Sequence, residues 1–362
     1  MTPQEWQQLK ALWAEALALE PEARAAWLAR LRAERGALAA ELEAMLRSLE
    51  GAADFLERPL VVFPAGDEPL AGHRAGPYRL VRELGTGGMG TVYLGERADE
   101  TFRRTVAVKL VRGGPAPAWV ADRFRQERQI LADLDHPNIG RLLDGGTTDE
   151  GVPYFVMEYV DGRPIDVYAD EEGLGVEARL ELFLAVCDAV SHAHAHRVVH
   201  RDLKPGNVFV TRAGHVKLLD FGIAKLLDGE GAAIGSTETA ARMLTPEYAS
   251  PEHFRGEPIG PASDIYSLGV LLYRLLAGRG PYRATTGAPL ELAREICERE
   301  PERPSLAARE AASPACRAFV AHPLARDLDA IVLKALRKRP ADRYASVEEL
   351  AADLRRVLEG GR

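Results

Sequence analysis

The chain has 362 residues, 46% of them hydrophobic, with 46 Lys and Arg against 54 Asp and Glu, for a net charge of −8. That composition fits an ordinary globular protein of two or three domains, and the acidic balance argues against a general binder of nucleic acid or of anionic membranes. Three cysteines, Cys187, Cys297 and Cys316, are far apart and lack metal-ligand spacing, which points to a reducing cytoplasm. No stretch reaches the ~18 consecutive apolar residues of a membrane span, and the start MTPQEW lacks the basic and apolar regions of a signal peptide.

Residues 1–50 are predicted to be helical. Trp6, Leu9, Trp13 and Leu17 recur at helical spacing, as do Trp27, Leu28 and Leu31, and then Leu38, Leu42, Met45 and Leu49. Residues 51–77, rich in Gly, Pro and Ala, read as a linker. Strands are then expected at Tyr78–Leu84, Thr91–Arg97 and Arg104–Val111, a helix at Ala118–Leu134, and strands at Ile139–Leu143 and Tyr154–Met157. After Gly162 helices take over: Val176–His196, Ala262–Ala277, Leu290–Arg299, Asp327–Lys338 and Ser346–Leu358. Two short strands, Val208–Val210 and Val216–Leu218, interrupt them, and residues 301–325 read as a long loop. Strands followed by helices predict an α+β fold with a small β-rich lobe (78–160) and a larger helical lobe (161–359), preceded by a small helical unit.

Four elements carry chemistry. The first is Leu84-Gly85-Thr86-Gly87-Gly88-Met89-Gly90, a glycine-rich turn between two strands. Such a turn can bring backbone N–H groups close to nucleotide phosphates, because no Cβ obstructs the approach; a plain hairpin turn is the bland alternative. The second is Lys109, in the apolar strand Val106-Ala107-Val108-Lys109. Burying an unpaired ammonium is costly, so it needs anionic partners. Glu127 on the next predicted helix can supply one.

The third element is His200-Arg201-Asp202-Leu203-Lys204-Pro205-Gly206-Asn207. Asp202 can orient a hydroxyl and take its proton, Lys204 can offset phosphoryl charge, and Asn207 can give a neutral oxygen to Mg2+. The fourth is Asp220-Phe221-Gly222, where Asp220 offers the hard anionic oxygen that Mg2+ prefers.

Together, in this order, these elements resemble the signature set of the bacterial eukaryotic-like Ser/Thr protein kinases over about residues 78–359. The resemblance implies a bilobal protein kinase fold and a bacterial signalling enzyme that phosphorylates protein Ser and Thr, using ATP and Mg2+, with Mn2+ as a substitute. The rival readings are a pseudokinase scaffold and a small-molecule kinase. It implies that Leu84, Gly85, Gly87, Gly88 and Gly90 contribute to the nucleotide site, with Gly85, Gly87 and Gly90 over the phosphates. Lys109 would contact the α- and β-phosphates, held by Glu127. Asp202 would be the base, with Asn207 and Asp220 on the metal. Val92 and Ala107 would line the adenine slot, the backbone of Glu158 to Val160 would bind the adenine edge, and Met157 would gate the pocket behind it.

The same resemblance assigns Ser/Thr selectivity to Lys204 and places Thr245 beside both base and lysine. Arg201 would pair with a phosphate on the Asp220–Glu252 segment, where Thr237 and Thr239 are the expected autophosphorylation sites. Glu252 should pair with Arg343, and Asp264 should brace the backbone of the catalytic loop. Trans-autophosphorylation would involve a homodimer. The C-terminal stretch from Asp353 to Gly360 resembles the point where relatives continue into a membrane span, so the chain is either a naturally soluble form or a truncated one.

Overall fold

The computed structural model describes residues 27, 28, 31, 32, 35, 72–87, 90–97, 104–111, 134–149, 151–221, 246–282 and 289–360. Of the predicted N-terminal helices, positions 27–28 and 31–32 are helical, and the Arg35 amide donates to Leu31 O at 2.8 Å. The rest of residues 1–50 lies outside the described residues, as does the predicted helix from Ala118 onward, except that Leu134 at its end is buried and non-helical.

The small lobe is one antiparallel sheet. Its strands are β1 (Arg74–Ala75), β2 (Tyr78–Gly87), β3 (Gly90–Arg97), β4 (Thr105–Val111), β5 (Leu142–Thr147) and β6 (Pro153–Glu158), in the order β1-β2-β3-β4-β6-β5. β1 falls within the stretch read as linker. Side chains alternate between faces along a strand. Val106, Val108 and Leu110 of β4 therefore pack with Tyr78, Leu80, Tyr93, Tyr154 and Val156 in the core of this lobe. Ala107 and Lys109 face the other way, on the side that meets the large lobe.

β5 lies three residues beyond the start of the strand predicted at Ile139–Leu143. Pro137 and Gly140 break that segment, and Ile139 makes an isolated parallel bridge to Leu218 in the large lobe instead. β5 gains its register from the β6 hairpin, which closes at Thr147 opposite Pro153.

The large lobe opens with β7 (Gly162–Pro164), α1 (Ile165–Glu171) and α2 (Val176–Ala195). β8 (Val208–Thr211) and β9 (Val216–Leu218) complete a three-stranded sheet in the order β7-β8-β9. Then come α3 (Pro251–Arg255), α4 (Pro261–Ala277), α5 (Pro289–Glu298), α6 (Pro304–Ala307), α7 (Pro314–Ala318), α8 (Ala325–Ala335) and α9 (Val347–Gly360). α4 is apolar on nearly every side and is buried from Ser263 to Tyr273, as expected of a helix at the centre of a domain. α2 and α8 pack against it and α9 packs on α2 and α8, with Leu180, Phe183, Leu328, Val332 and Leu350 fully buried. Among the described residues, no helix is long and apolar enough to cross a membrane.

Residues 301–325 are not the loop that their Pro, Ala and Arg content predicts. Pro304 and Pro314 each occupy the first turn of a short helix, where a missing N–H costs nothing. Ala307, Ala308, Cys316 and Phe319 are buried beneath them. Asp329 of α8 fixes the segment by accepting from the Ser305 amide at 2.9 Å and its hydroxyl at 2.6 Å.

Candidate active site

The cleft between the lobes gathers several of the residues singled out from the sequence. β2 and β3 extend to Gly87 and Gly90, so the glycine-rich turn is the tip of a hairpin. Gly85 and Gly87 have open space where a side chain would point. Gly90 has a φ of +147°, and a Cβ there would lie 2.0 Å from Leu110 O. Val92 is opposite Lys109, and Ala107 opposite Met157, so all four share the sheet face turned to the cleft. Behind Met157 is a recess lined by Leu134, Ile139, Gly140, Leu142, Asp220 and Phe221. Leu84 is half-buried on β2, and Val160 half-buried after β6. The Glu158 amide donates to Arg141 O at 2.9 Å, which commits that amide to the protein.

Lys109 is 4% exposed, and its Nζ lies 2.5 Å from both carboxylate oxygens of Asp220. An ammonium so deeply placed needs a counter-charge, and Asp220 provides it. Glu127, the partner expected for Lys109, lies outside the described residues, as do Gly88, Thr237, Thr239 and Thr245.

The loop from His200 to Asn207 is built on a buried carboxylate. Asp264, near the start of α4, accepts from the His200 amide at 2.8 Å, the Arg201 amide at 2.9 Å and His194 Nε2 at 2.7 Å. Burial alone would raise its pKa, yet the hydrogen bond and charge of His194 and the hydrogen bond from the His200 amide hold it below the ordinary value of 3.8. Arg201 has a left-handed φ of 64°, an unfavourable conformation for a long side chain, and the two amide bonds to Asp264 maintain it. His200 is fully buried, and burial lowers its pKa. It accepts the Asp202 amide on Nδ1 at 3.2 Å and donates from Nε2 to Leu219 O at 3.1 Å, so it is neutral with the proton on Nε2.

Asp202 lies at the mouth of this scaffold. Its carboxylate is 2.9 Å from Lys204 Nζ and accepts from Asn207 Nδ2 at 3.0 Å. Asn207 also donates to Asp202 O at 2.7 Å, while its own carbonyl accepts the Leu219 amide at 2.8 Å. One bonded path therefore runs from Asp202 through Asn207 and Leu219 to Asp220 and Lys109. Asp220 itself is left-handed, with a φ of 57°.

The expected pairing of Glu252 with Arg343 is present. Arg343 donates to both oxygens of Glu252 at 2.7 Å, and the side chains are 0% and 1% exposed. His253 closes a capping box at the start of α3: its Nδ1 lies 2.8 Å from Ser250 Oγ and takes the Ser250 amide at 3.3 Å. Lys217 and Asn138, which no motif marks, join β9 to the edge of the cleft. Lys217 did leave a signal, since it too is a lysine flanked by apolar residues on a short strand.

Comparisons with known proteins identify the family and the fold. Residues 78–352 match the family model described as the protein kinase domain. The serine/threonine-protein kinase PknB of Mycolicibacterium smegmatis is 38% identical over 294 residues, which are 80% of this chain and 44% of that protein. Serine/threonine-protein kinase Pkn1 of Myxococcus xanthus is 39% identical over 284 residues, 77% of this chain and 38% of its own length. The chain thus spans less than half the length of these curated relatives. A crystal structure of a mutant PknI kinase domain from Mycobacterium tuberculosis aligns with a TM-score of 0.56 at 27% identity, covering 81% of this chain and 100% of that one.

Proposed function

The chain belongs to the protein kinase domain family, in its bacterial eukaryotic-like Ser/Thr branch, and from that premise we propose that it is an active Ser/Thr protein kinase. The observation that carries the proposal is the bonded path from Asp202 through Asn207 to Asp220 and Lys109. It joins a base, two oxygen donors and a buried cation in one cleft.

In the proposed reaction, a substrate hydroxyl oxygen forms a bond to the γ-phosphorus of ATP. The bond from that phosphorus to the bridging oxygen breaks, and ADP leaves. Asp202 orients the hydroxyl and takes its proton. Lys204 faces the transferring group and offsets its charge. Lys109 turns from Asp220 to the α- and β-phosphates, held by Glu127. Thr245 bridges the base and Lys204. The β2–β3 hairpin, with Leu84, Gly85, Gly87, Gly88 and Gly90, covers the phosphates, while Val92, Ala107, Met157 and the backbone from Glu158 to Val160 enclose adenine.

The donor set suits a hard divalent cation. Asp220 offers a carboxylate, and Asn207, whose Nδ2 is committed to Asp202, offers Oδ1. Mg2+, or Mn2+ in its place, would supply neutralisation of phosphate charge there. We place the kinase domain at residues 78–359, with proteins as substrates and the cytoplasm as its location. Autophosphorylation at Thr237 or Thr239, in trans within a homodimer, would give Arg201 its phosphate partner.

The test is intact mass after incubation with Mg-ATP, with Asp220→Asn as control, followed by peptide mapping. Mass gains in units of phosphate, absent from the control, are expected, with sites among residues 236–245. No gain in the native chain, with ATP still bound, would overturn the active-kinase reading. Gains mapped wholly elsewhere would overturn the activation-segment assignment alone.

A further inference from the structure

β9 and the hinge between the lobes are tied together by a side-chain pair that touches no proposed substrate atom. Lys217 Nζ lies 3.1 Å from Glu158 Oε2, and the Arg141 amide donates to the same oxygen at 3.3 Å. Their side chains are 19% and 30% exposed, so water screens the pair less than a surface ion pair. The segment between them is zipped to β9. Asn138 Nδ2 donates to Val216 O at 2.9 Å, the Leu218 amide to Asn138 O at 2.7 Å, and the Gly140 amide to Leu218 O at 2.8 Å. Asp220 follows β9 by two residues. One short strand therefore carries both the anchor of the hinge and the approach to the metal-binding carboxylate.

We propose that Lys217 is a positioning residue, which sets the distance between the adenine-binding hinge at Glu158 and the phosphate end of the site at Asp220. The proposal rests on the kinase reading given above. ATP is held at both ends, and its affinity depends on how well the two half-sites are spaced before it arrives. Lys217 acts through Glu158, so its loss should weaken ligands that span the site and spare those that occupy one end.

Lys217→Met is expected to raise the KM for ATP about tenfold, with a smaller fall in kcat on a generic protein substrate. The Kd of adenosine, which reaches only the hinge, should stay within about twofold of the native value. Lys217→Arg should recover most of the loss, and Glu158→Gln should behave like Lys217→Met. An unchanged KM for ATP in Lys217→Met would overturn the proposal. So would a parallel loss of adenosine and ATP binding, which would mark local structural damage, or a raised kcat at constant KM, which would mark the pair as a restraint on lobe closure. If the native chain fails to bind Mg-ATP, the kinase reading itself falls; if only the Lys217 results fail, that reading stands.

Discussion

Lys109 Nζ sits 2.5 Å from both carboxylate oxygens of Asp220, which is 111 residues further along the chain. The pair neutralises two charges that the nucleotide and its cation would otherwise claim. Exchange of partners should therefore accompany ligand binding. ATP with Mg2+ should raise the Tm by roughly 5 °C at a hundredfold excess over Kd, and ATP with EDTA by much less. In Asp220→Asn the difference between the two conditions should vanish, whereas Lys109→Met should lose both shifts. Differential scanning fluorimetry of the three proteins measures this.

The glycine-rich hairpin contains two different kinds of glycine. A Cβ at Gly90 would lie 2.0 Å from Leu110 O, with φ at +147°, so Gly90→Ala should lower stability by about 2 kcal/mol or more. A Cβ at Gly85 meets nothing within 4 Å. Gly85→Ala should leave the unfolding midpoint nearly unchanged and still weaken ATP, because only the nucleotide would meet the methyl group. Urea unfolding paired with ATP titration distinguishes the two.

Asp264 holds the His200 and Arg201 amides, and with them the left-handed turn that aims Asp202. Asp264→Asn removes the negative charge and replaces one acceptor with a donor. We expect kcat to fall about a hundredfold, with unfolding free energy reduced by about 1–3 kcal/mol. Steady-state kinetics alongside chemical denaturation would reveal whether activity falls further than stability accounts for.

Glu252 and Arg343 form a fully buried ion pair. Burial alone would raise the Glu252 pKa, but the hydrogen bonds and charge of Arg343 outweigh it and hold the carboxyl at about 2, against 4.5 ordinarily. The folded state therefore binds fewer protons than the unfolded state between those values. The stabilisation is complete above about pH 4.5 and is lost as pH falls towards 2, about 3 kcal/mol in all. Glu252→Gln should flatten that part of the stability profile. Arg343→Ala, which strands a buried carboxylate, should cost about 3–5 kcal/mol at pH 7. Denaturation curves from pH 2.5 to 7 test both expectations.

Much of this was legible in the residues. The helices expected at Val176–His196, Ala262–Ala277, Leu290–Arg299 and Ser346–Leu358 correspond to α2, α4, α5 and α9, and the pairing of Glu252 with Arg343 followed from the family resemblance. Where the reading failed, the cause was tertiary. Ile139 looks like strand because it is β-branched and apolar, yet Pro137 and Gly140 prevent a ladder, and its place is a bridge to Leu218. The segment 301–325 looks like loop because Pro and Ala dominate, yet Pro304 and Pro314 begin short helices held by burial and by Asp329.

The chain by itself determined the chemistry on offer: an apolar strand with one lysine, a loop with an aspartate and an asparagine five residues apart, and an aspartate after a short strand. Those features are local, because residue type and spacing fix what a segment can donate or accept. Only the folded molecule decided who meets whom. It gave Lys109 to Asp220, made Asn207 the link between Asp202 and Leu219, and placed Lys217 against Glu158. Such pairings depend on sheet register and on the packing of one lobe against the other, which no short stretch of sequence encodes.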